Sequence, residues 1–456
     1  MDLNRFFSRL LVPPIMQKEH GYYRLLKKNH ALRNLWYGQV VSELGDWLNS
    51  IAVYALILEL GGSGMALAAS MMAKLLPFVI VSPIAGVVID RMSRKKIMIA
   101  SDILRFFAVL GLLWVGQKDD LWLLYVLVIM EVALSAFFEP ARSAIIPSIS
   151  DKKDLVAANA LGGATWSVML ALGAALGGMV VSLCGVRTAF VIDALSFLLS
   201  AWFVARIRCP GDEDKVSQRS HAGGFKDLIE GARYMLARPV VLVLSLLKSG
   251  LAIAGGIMTI IPLYAHQLFT TPSAISFGIG VMYSCRGVGA ALGPLLVKRL
   301  FGDSIRVLQI AISGCFFLEA LAYLLFSYTH SLWSAALCLG MSTLFGSVIW
   351  VFSSTLLHME VEDLYLGRVF GSELAMMTLV MGVSNMGAGI AVDQFGLTPN
   401  EVMFWIGLVF FIPGILWNFF FLYVRSYWKQ GMQAGYSDQK NRIRLAPIAP
   451  ERIDII

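Results

Sequence analysis

The sequence predicts an all-α integral membrane protein with twelve transmembrane helices in two pseudo-symmetric six-helix bundles, and three observations carry that expectation. The 456-residue chain is 57% hydrophobic and only 15% charged, whereas an ordinary soluble domain carries about 25% charged residues. Its apolar residues fall in long unbroken runs, of the roughly 20-residue length that a helix needs to cross a bilayer. Its bases alternate from one connection to the next. The hydrocarbon core offers no water to backbone groups, so a spanning chain is helical or a closed barrel, and unbroken apolar runs exclude the alternating pattern of a barrel.

Taken in order, the runs place spans near 34–60, 66–89, 97–117, 121–141, 157–183, 186–206, 239–268, 274–297, 306–327, 331–357, 367–392 and 400–424. The short connections after spans 1, 3, 5, 7, 9 and 11 hold only Lys118 and Arg187 as bases. The other bases outside the spans fall on the opposite side, which the positive-inside rule assigns to the cytoplasm together with both termini. The net charge of +7 is therefore a topology signal, and no nucleic-acid partner is expected. Residues 1–33 are read as a cytoplasmic interfacial segment rather than a cleavable signal. Residues 34–206 form the first bundle, 207–238 a cytoplasmic linker, 239–424 the second bundle and 425–456 a cytoplasmic tail. Within the linker, Phe225, Leu228, Ile229, Ala232 and Met235 stand at helical spacing, which predicts an amphipathic surface helix.

A weak internal repeat supports two halves. An offset of 209 matches Asp151 to Glu360, Asp154 to Asp363 and Gly173 to Gly382, and an offset of 207 matches Gly86 to Gly293. Duplicated six-helix bundles meeting at a midplane site are a common architecture of alternating-access transporters. The five cysteines (Cys184, Cys209, Cys285, Cys315 and Cys338) show no metal-ligand or disulfide spacing, and neither metal nor cofactor is expected.

After span 2 the stretch "GVVIDRMSRKK" crowds four bases behind one acid. Gly86, Asp90, Arg91, Arg94 and Lys95 resemble the loop 2–3 signature of the major facilitator superfamily, G-x-x-x-D-R-x-G-R-R/K, with Ser93 in place of its second glycine. Within that superfamily, "SELGDWLNSIAVYALILELGGSGMALA", "FFEPARSAIIPSI", "LVAANAL" and "AFVIDALSFLLSAW" resemble drug exporters of the macrolide-efflux and enterobactin-export type. The resemblance spans roughly residues 30 to 425. It implies export from the bacterial cytoplasm, across the plasma membrane, usually in exchange for protons. It also implies an inner gate. Asp90 would cap the start of span 11 near Gly367, where unpaired N–H groups and the dipole favour an anion. Glu373, one turn in, is placed to meet Arg91 or Arg94. The bases alone would retain the loop in the cytoplasm in any membrane protein, so Asp90 is the informative residue. "GAALGG" in span 5, with Gly173, Gly177 and Gly178, resembles an antiporter signature with Ala174 in place of proline, and the same glycines equally suit close helix packing.

Charges inside spans are functional candidates because each costs roughly 2.5–3.5 kcal/mol at a helix centre. Glu43 and Asp46 lie three apart on one face of span 1, near mid-bilayer, and two adjacent carboxylates in a poorly hydrated cavity have the chemistry of a proton-coupling site. Glu131 on span 4 reaches similar depth. The alternative is a structural acid paired with a base such as Lys74. Asp102 and Arg105 lie three apart near the cytoplasmic end of span 3, able to satisfy each other and to join the gate cluster of Asp90 and Arg91. Lys248, Arg286 and Glu319 are further cavity candidates, with Arg286 facing Glu319 as a structural pair the competing reading. Trp47, with Trp36, Trp166 and Trp350, is a candidate pocket aromatic or an interfacial anchor. Asp193 falls in a run shared with the resembled exporters, with no role assigned.

Together these readings predict a monomeric secondary transporter, driven by a proton gradient, whose partners are a small amphipathic substrate and membrane lipids. A lysophospholipid or lipid flippase of the same superfamily is the alternative within transport, and a non-transporting receptor or scaffold the alternative from another class. No enzyme signature occurs.

Overall fold

The structure is a computed structural model describing residues 19–444, apart from 152–153, 209–224, 303 and 363–364. Among the described residues, twelve helical segments are long and apolar enough to cross a membrane. A short amphipathic helix, α1 (Glu19–Lys28), precedes the first span, α2 (His30–Glu59). The first half continues with α3 (Gly64–Arg91), α4 (Arg94–Gly111), α5 (Leu121–Ile149), α6 (Leu155–Cys184) and α7 (Val186–Ala205). The linker helix α8 (Phe225–Leu236) leads into the second half, formed by α9 (Pro239–Ala252), α10 (Ile257–Leu268), α11 (Pro272–Phe301), α12 (Ile305–Ser327), α13 (Leu332–Glu360), α14 (Leu366–Asp393) and α15 (Pro399–Arg444).

Helix starts are set by residues whose side chains satisfy first-turn N–H groups. Asn29, Ser63, Ser93, Thr271, Ser304 and Ser331 each accept from a backbone N–H three residues on. Ser93 thus replaces the signature glycine with a cap: its φ of −60° needs no glycine, and its hydroxyl accepts from Lys96 N–H at 3.5 Å.

Two elements differ from the reading of the sequence. Span 7 is broken: a 3₁₀ turn at Ile253–Gly256 separates α9 from α10. Ser384 on α14 holds the break, accepting from Gly256 N–H at 2.9 Å and donating to Ile253 C=O at 2.6 Å. A Cβ on Gly255 would lie 2.6 Å from Met381 Cγ, so the glycines admit α14 to close range. The last helix runs on to Arg444, past the apolar residues that end span 12 near 424.

In the first half α2 packs against α6 and α7, while α4 packs against α5 and α7; in the second, α11 and α12 pack against α13, and α9 against α14. The halves join along α6 with α11 and α3 with α14. A Cβ on Gly178 would lie 2.7 Å from Gly280 Cα, and one on Gly287 2.5 Å from Ala171 N. A Cβ on Gly382 would lie 2.8 Å from Met72 Sδ, and one on Gly389 2.9 Å from Ala68 Cβ. These contacts run from the middle of the bundle to the end opposite the Arg91–Arg94 turn. Toward the turn, the basic end, a Cβ on Gly86, Gly163 or Gly367 would meet nothing within 4 Å. The halves thus approach to contact from mid-bundle to the end opposite the basic turn, the closed end of the bundle.

Candidate transport site

A cavity of about 480 Å³ opens in the first half at mid-depth. Gln39, Glu43, Asp46 and Ser50 reach it from α2, Glu139 and Arg142 from α5, and Gly162, Gly163 and Trp166 from α6, with Trp47 beside them. The α2 positions follow helical spacing and share one face. Asp46 stands about 24 Å along a helix about 45 Å long.

The walls are built from relayed polar contacts. Arg142 is paired with Glu139 at 2.7 Å and donates to Gln39 Oε1 at 3.0 Å. Gln39 Nε2 in turn donates to Glu43 Oε1 at 2.7 Å and to Gly162 C=O at 3.2 Å. Arg105, buried on α4, forms its short ion pair with Asp46 at 2.7 Å, while its neighbour Asp102 is 3.7 Å away. The guanidinium lies 3.9 Å from the centre of the Phe197 ring, a cation–π contact. Lys74 Nζ donates to Ser50 Oγ at 2.7 Å, and Ser50 donates to Asp46 C=O at 2.7 Å.

Behind the cavity, Asn49 Nδ2 donates to Glu131 Oε2 at 3.0 Å and to Asp193 Oδ2 at 2.8 Å, and all three residues are buried. One amide thus bridges two carboxylates. A Cβ on Gly45 would lie 2.3 Å from Asp193 Oδ1 and 2.2 Å from Ser196 Oγ, so glycine is what lets α7 bring Asp193 against α2. Glu43, Asp46, Asp102, Glu131, Glu139 and Asp193 are thereby gathered around Lys74, Arg105 and Arg142. Six carboxylates against three bases leave a formal excess of three negative charges.

The second half is arranged differently. Lys248 pairs with Glu373 at 2.8 Å, both buried, and sits over the rings of Trp350 at 4.8 Å and Phe370 at 5.2 Å. Glu319 accepts from Tyr323 at 2.7 Å, with Gly346 so near that a Cβ there would lie 2.9 Å from Oε1. Arg286 lies 5.5 Å from the centre of the Tyr283 ring. Tyr283 also meets Trp47 and Tyr54 of the other half, at 5.7 and 6.2 Å between ring centres. This aromatic contact lies on the closed side of the cavity.

The structure divides the residues expected at the gate. Arg105, grouped there with Asp102, reaches inward to Asp46. Glu373 pairs with Lys248 rather than with Arg91 or Arg94. Arg94 is buried and donates to Ser148 Oγ at 3.2 Å, and Arg91 is exposed. Asp90 closes α3 in sequence, and its side chain lies outside the described residues. Gly173 and Gly177 admit Trp47, Ile51 and Leu48 of α2, and Gly178 meets Gly280 of the other half. Gln39, Asn49, Glu139, Arg142 and Asp193 join the site without a role expected from the sequence. Their signal was polarity inside apolar runs, and Glu139 and Arg142 belong to the quoted "FFEPARSAIIPSI".

Residues 26–406 match the family described as transmembrane secretion effector. The chain is 25% identical over 393 residues to the uncharacterized MFS-type transporter YfiS of Bacillus subtilis, covering 82% of this chain and 89% of that one. It is 24% identical over 374 residues to macrolide efflux protein A of Streptococcus pyogenes, covering 80% and 89%. It is 25% identical over 269 residues to the putative bacilysin exporter BacE of Bacillus subtilis, covering 58% and 65%. Among solved structures, the nucleoside transporter NupG superposes with a TM-score of 0.64 at 13% identity, covering 86% of this chain and 99% of that one. A bacterial homologue of the human lysosomal transporter Spinster, in an inward-facing and unoccupied conformation, superposes with a TM-score of 0.65 at 15% identity, covering 88% and 97%.

Proposed function

Because the chain belongs to the transmembrane secretion effector family, a family of major facilitator transporters rather than enzymes, we propose that it is a proton-coupled exporter of small amphipathic molecules. The observation that carries this reading is the mid-depth cavity, walled by Glu43, Asp46 and Glu139 against Arg142, with Trp47 and Trp166 at its side. It lies in a bundle whose two six-helix halves meet closely at the end opposite the basic turn, which supports alternating access between them. Indole rings provide apolar surface for a substrate, and the excess carboxylates provide places for protons or for a cationic group.

In the cycle we envisage, the cavity takes substrate from the basic end, which is cytoplasmic. It then opens at the other end, where protons load Glu43, Asp46 or Glu131 as substrate leaves. Return to the present state releases the protons inward. The gradient drives this cycle without a cofactor, in a monomer seated in the bacterial plasma membrane with both termini in the cytoplasm. The distribution of bases and the bacterial relatives support that orientation. When the basic end is shut, Asp90 docks on the start of α14, with Gly86, Arg91 and Arg94 forming the gate around it.

The names of the relatives suggest macrolides and bacilysin as first probes. In proteoliposomes, flux of a transported probe is expected to follow an imposed pH gradient. Unchanged flux after the gradient is collapsed would remove the proton-coupling reading.

A further inference from the structure

Asp393 ends α14 at the closed end of the bundle. Its two carboxylate oxygens accept from the backbone N–H groups of Gly64 and Met65, the first residues of α3, at 2.9 and 2.8 Å. Ser63 accepts from the next N–H, that of Ala66, at 3.4 Å. Three of the first-turn donors that no intrahelical carbonyl can satisfy are thus taken, two of them by a side chain from the other half. The backbones here are nearly in contact. A Cβ on Gly64 would lie 3.0 Å from Asp393 Oδ1, and one on Gly389 2.9 Å from Gly64 C=O. Gly64 and Ala68 on α3 face Gly389 and Asp393 on α14, so the carboxylate reaches its donors only while the two helices are closed on each other.

We propose that Asp393 is the outer latch of the transport cycle: it holds α3 and α14 together at the closed end and releases when the cavity opens there. This rests on the alternating-access part of the function proposed above. The chemistry is that of an anion on a helix N-terminus. It uses the same two helices as the gate expected at Asp90, with their roles exchanged. At the basic end α3 would offer the acid and α14 the N-terminus; at this end α14 offers the acid and α3 the N-terminus. On opening, water replaces the partners of both carboxylate and N–H groups, so the latch biases the equilibrium rather than locking it. Capping side chains are worth enough for a shift of about two- to thirty-fold.

Hydrogen exchange read by mass spectrometry on the purified full-length protein tests the latch without substrate or gradient. Asp393→Ala is expected to raise exchange along both sides of the seam, over residues 64–72 and 382–393, by about two- to thirty-fold. It is expected at the same time to lower exchange at the basic end, over the segments around Gln39 and Gly162, as closure there becomes more populated. Asp393→Asn, which keeps one acceptor oxygen and guards against misfolding of the alanine variant, is expected to fall between. A rise confined to residues 64–66, or no change, would overturn the proposal, because a merely local cap frays its own helix start without moving the far end. Loss of the reciprocal pattern alongside gradient-driven flux would sink the latch alone, and the converse would sink only the coupling.

Discussion

The two halves of the bundle bury charge in opposite ways. The second half gives each acid it buries one close partner: Lys248 sits on Glu373 at 2.8 Å between aromatic rings, and Glu319 accepts from the hydroxyl of Tyr323. The first half gathers six carboxylates around three bases, and three of those acids line the cavity. A neutral pair sealed among rings can hold helices in register, but it has nothing left to exchange. A cluster with surplus acid beside a cavity can bind and release a cation or a proton, and that capacity is what coupling needs. Under the proposed function, the chemistry of transport belongs to the first half, with the second as its moving wall.

The comparison is broken most severely by removing Arg105. Arg105→Ala leaves Asp102 fully buried without its cation and Asp46 without its short ion pair. A loss of about 3–5 kcal/mol is expected, as for other broken buried pairs, seen as a large drop in thermal or denaturant midpoint together with loss of flux. In the second half, Lys248→Met alone is expected to cost a similar amount, about 3–5 kcal/mol, by stranding Glu373. The sharper test is the double variant Lys248→Met with Glu373→Leu, expected to regain native stability and to keep its proton dependence. If the double variant folds but loses coupling, the assignment of chemistry to the first half is wrong.

Smaller effects test how the first half was assembled. Gly45→Ala would drive a methyl group against Asp193 and Ser196 and is expected to cost about 1–3 kcal/mol by overpacking. Unchanged stability would mean that α7 can yield at this point. Ser93→Ala removes the cap of α4 and is expected to cost about 0.5–2 kcal/mol, with flux retained. Ser93→Gly, which restores the signature residue, should cost only a few tenths of a kcal/mol.

The same contrast explains what could be read from the chain itself. Span number and order were legible because hydropathy and the alternation of bases are local properties, each written within about twenty residues. The break at Ile253–Gly256 was not, because it depends on Ser384, about 130 residues away. That Glu43 and Asp46 share one face of their helix was legible from helical spacing, but their partners were not. Arg105 stands one turn from Asp102, so local spacing favoured that pair, yet the shorter contact is to Asp46, 59 residues earlier. Glu373 was drawn toward the gate by its position on α14, whereas packing against α9 gives it Lys248. Asp193 was visible only as an acid in an apolar run, and its place beside Asn49 and Gly45 required the fold.

The central claim is that proton coupling resides in the carboxylates of the first half. Its most direct test compares pH-gradient-driven flux of one transported probe, a macrolide first, through three proteins in the same proteoliposomes: the native chain, Glu43→Gln with Asp46→Asn, and Lys248→Met with Glu373→Leu. The account predicts that the native chain and the second-half variant follow the gradient, while the first-half variant binds the probe but no longer responds to it. Gradient-driven flux that persists in the first-half variant, or vanishes only in the second-half variant, would contradict it.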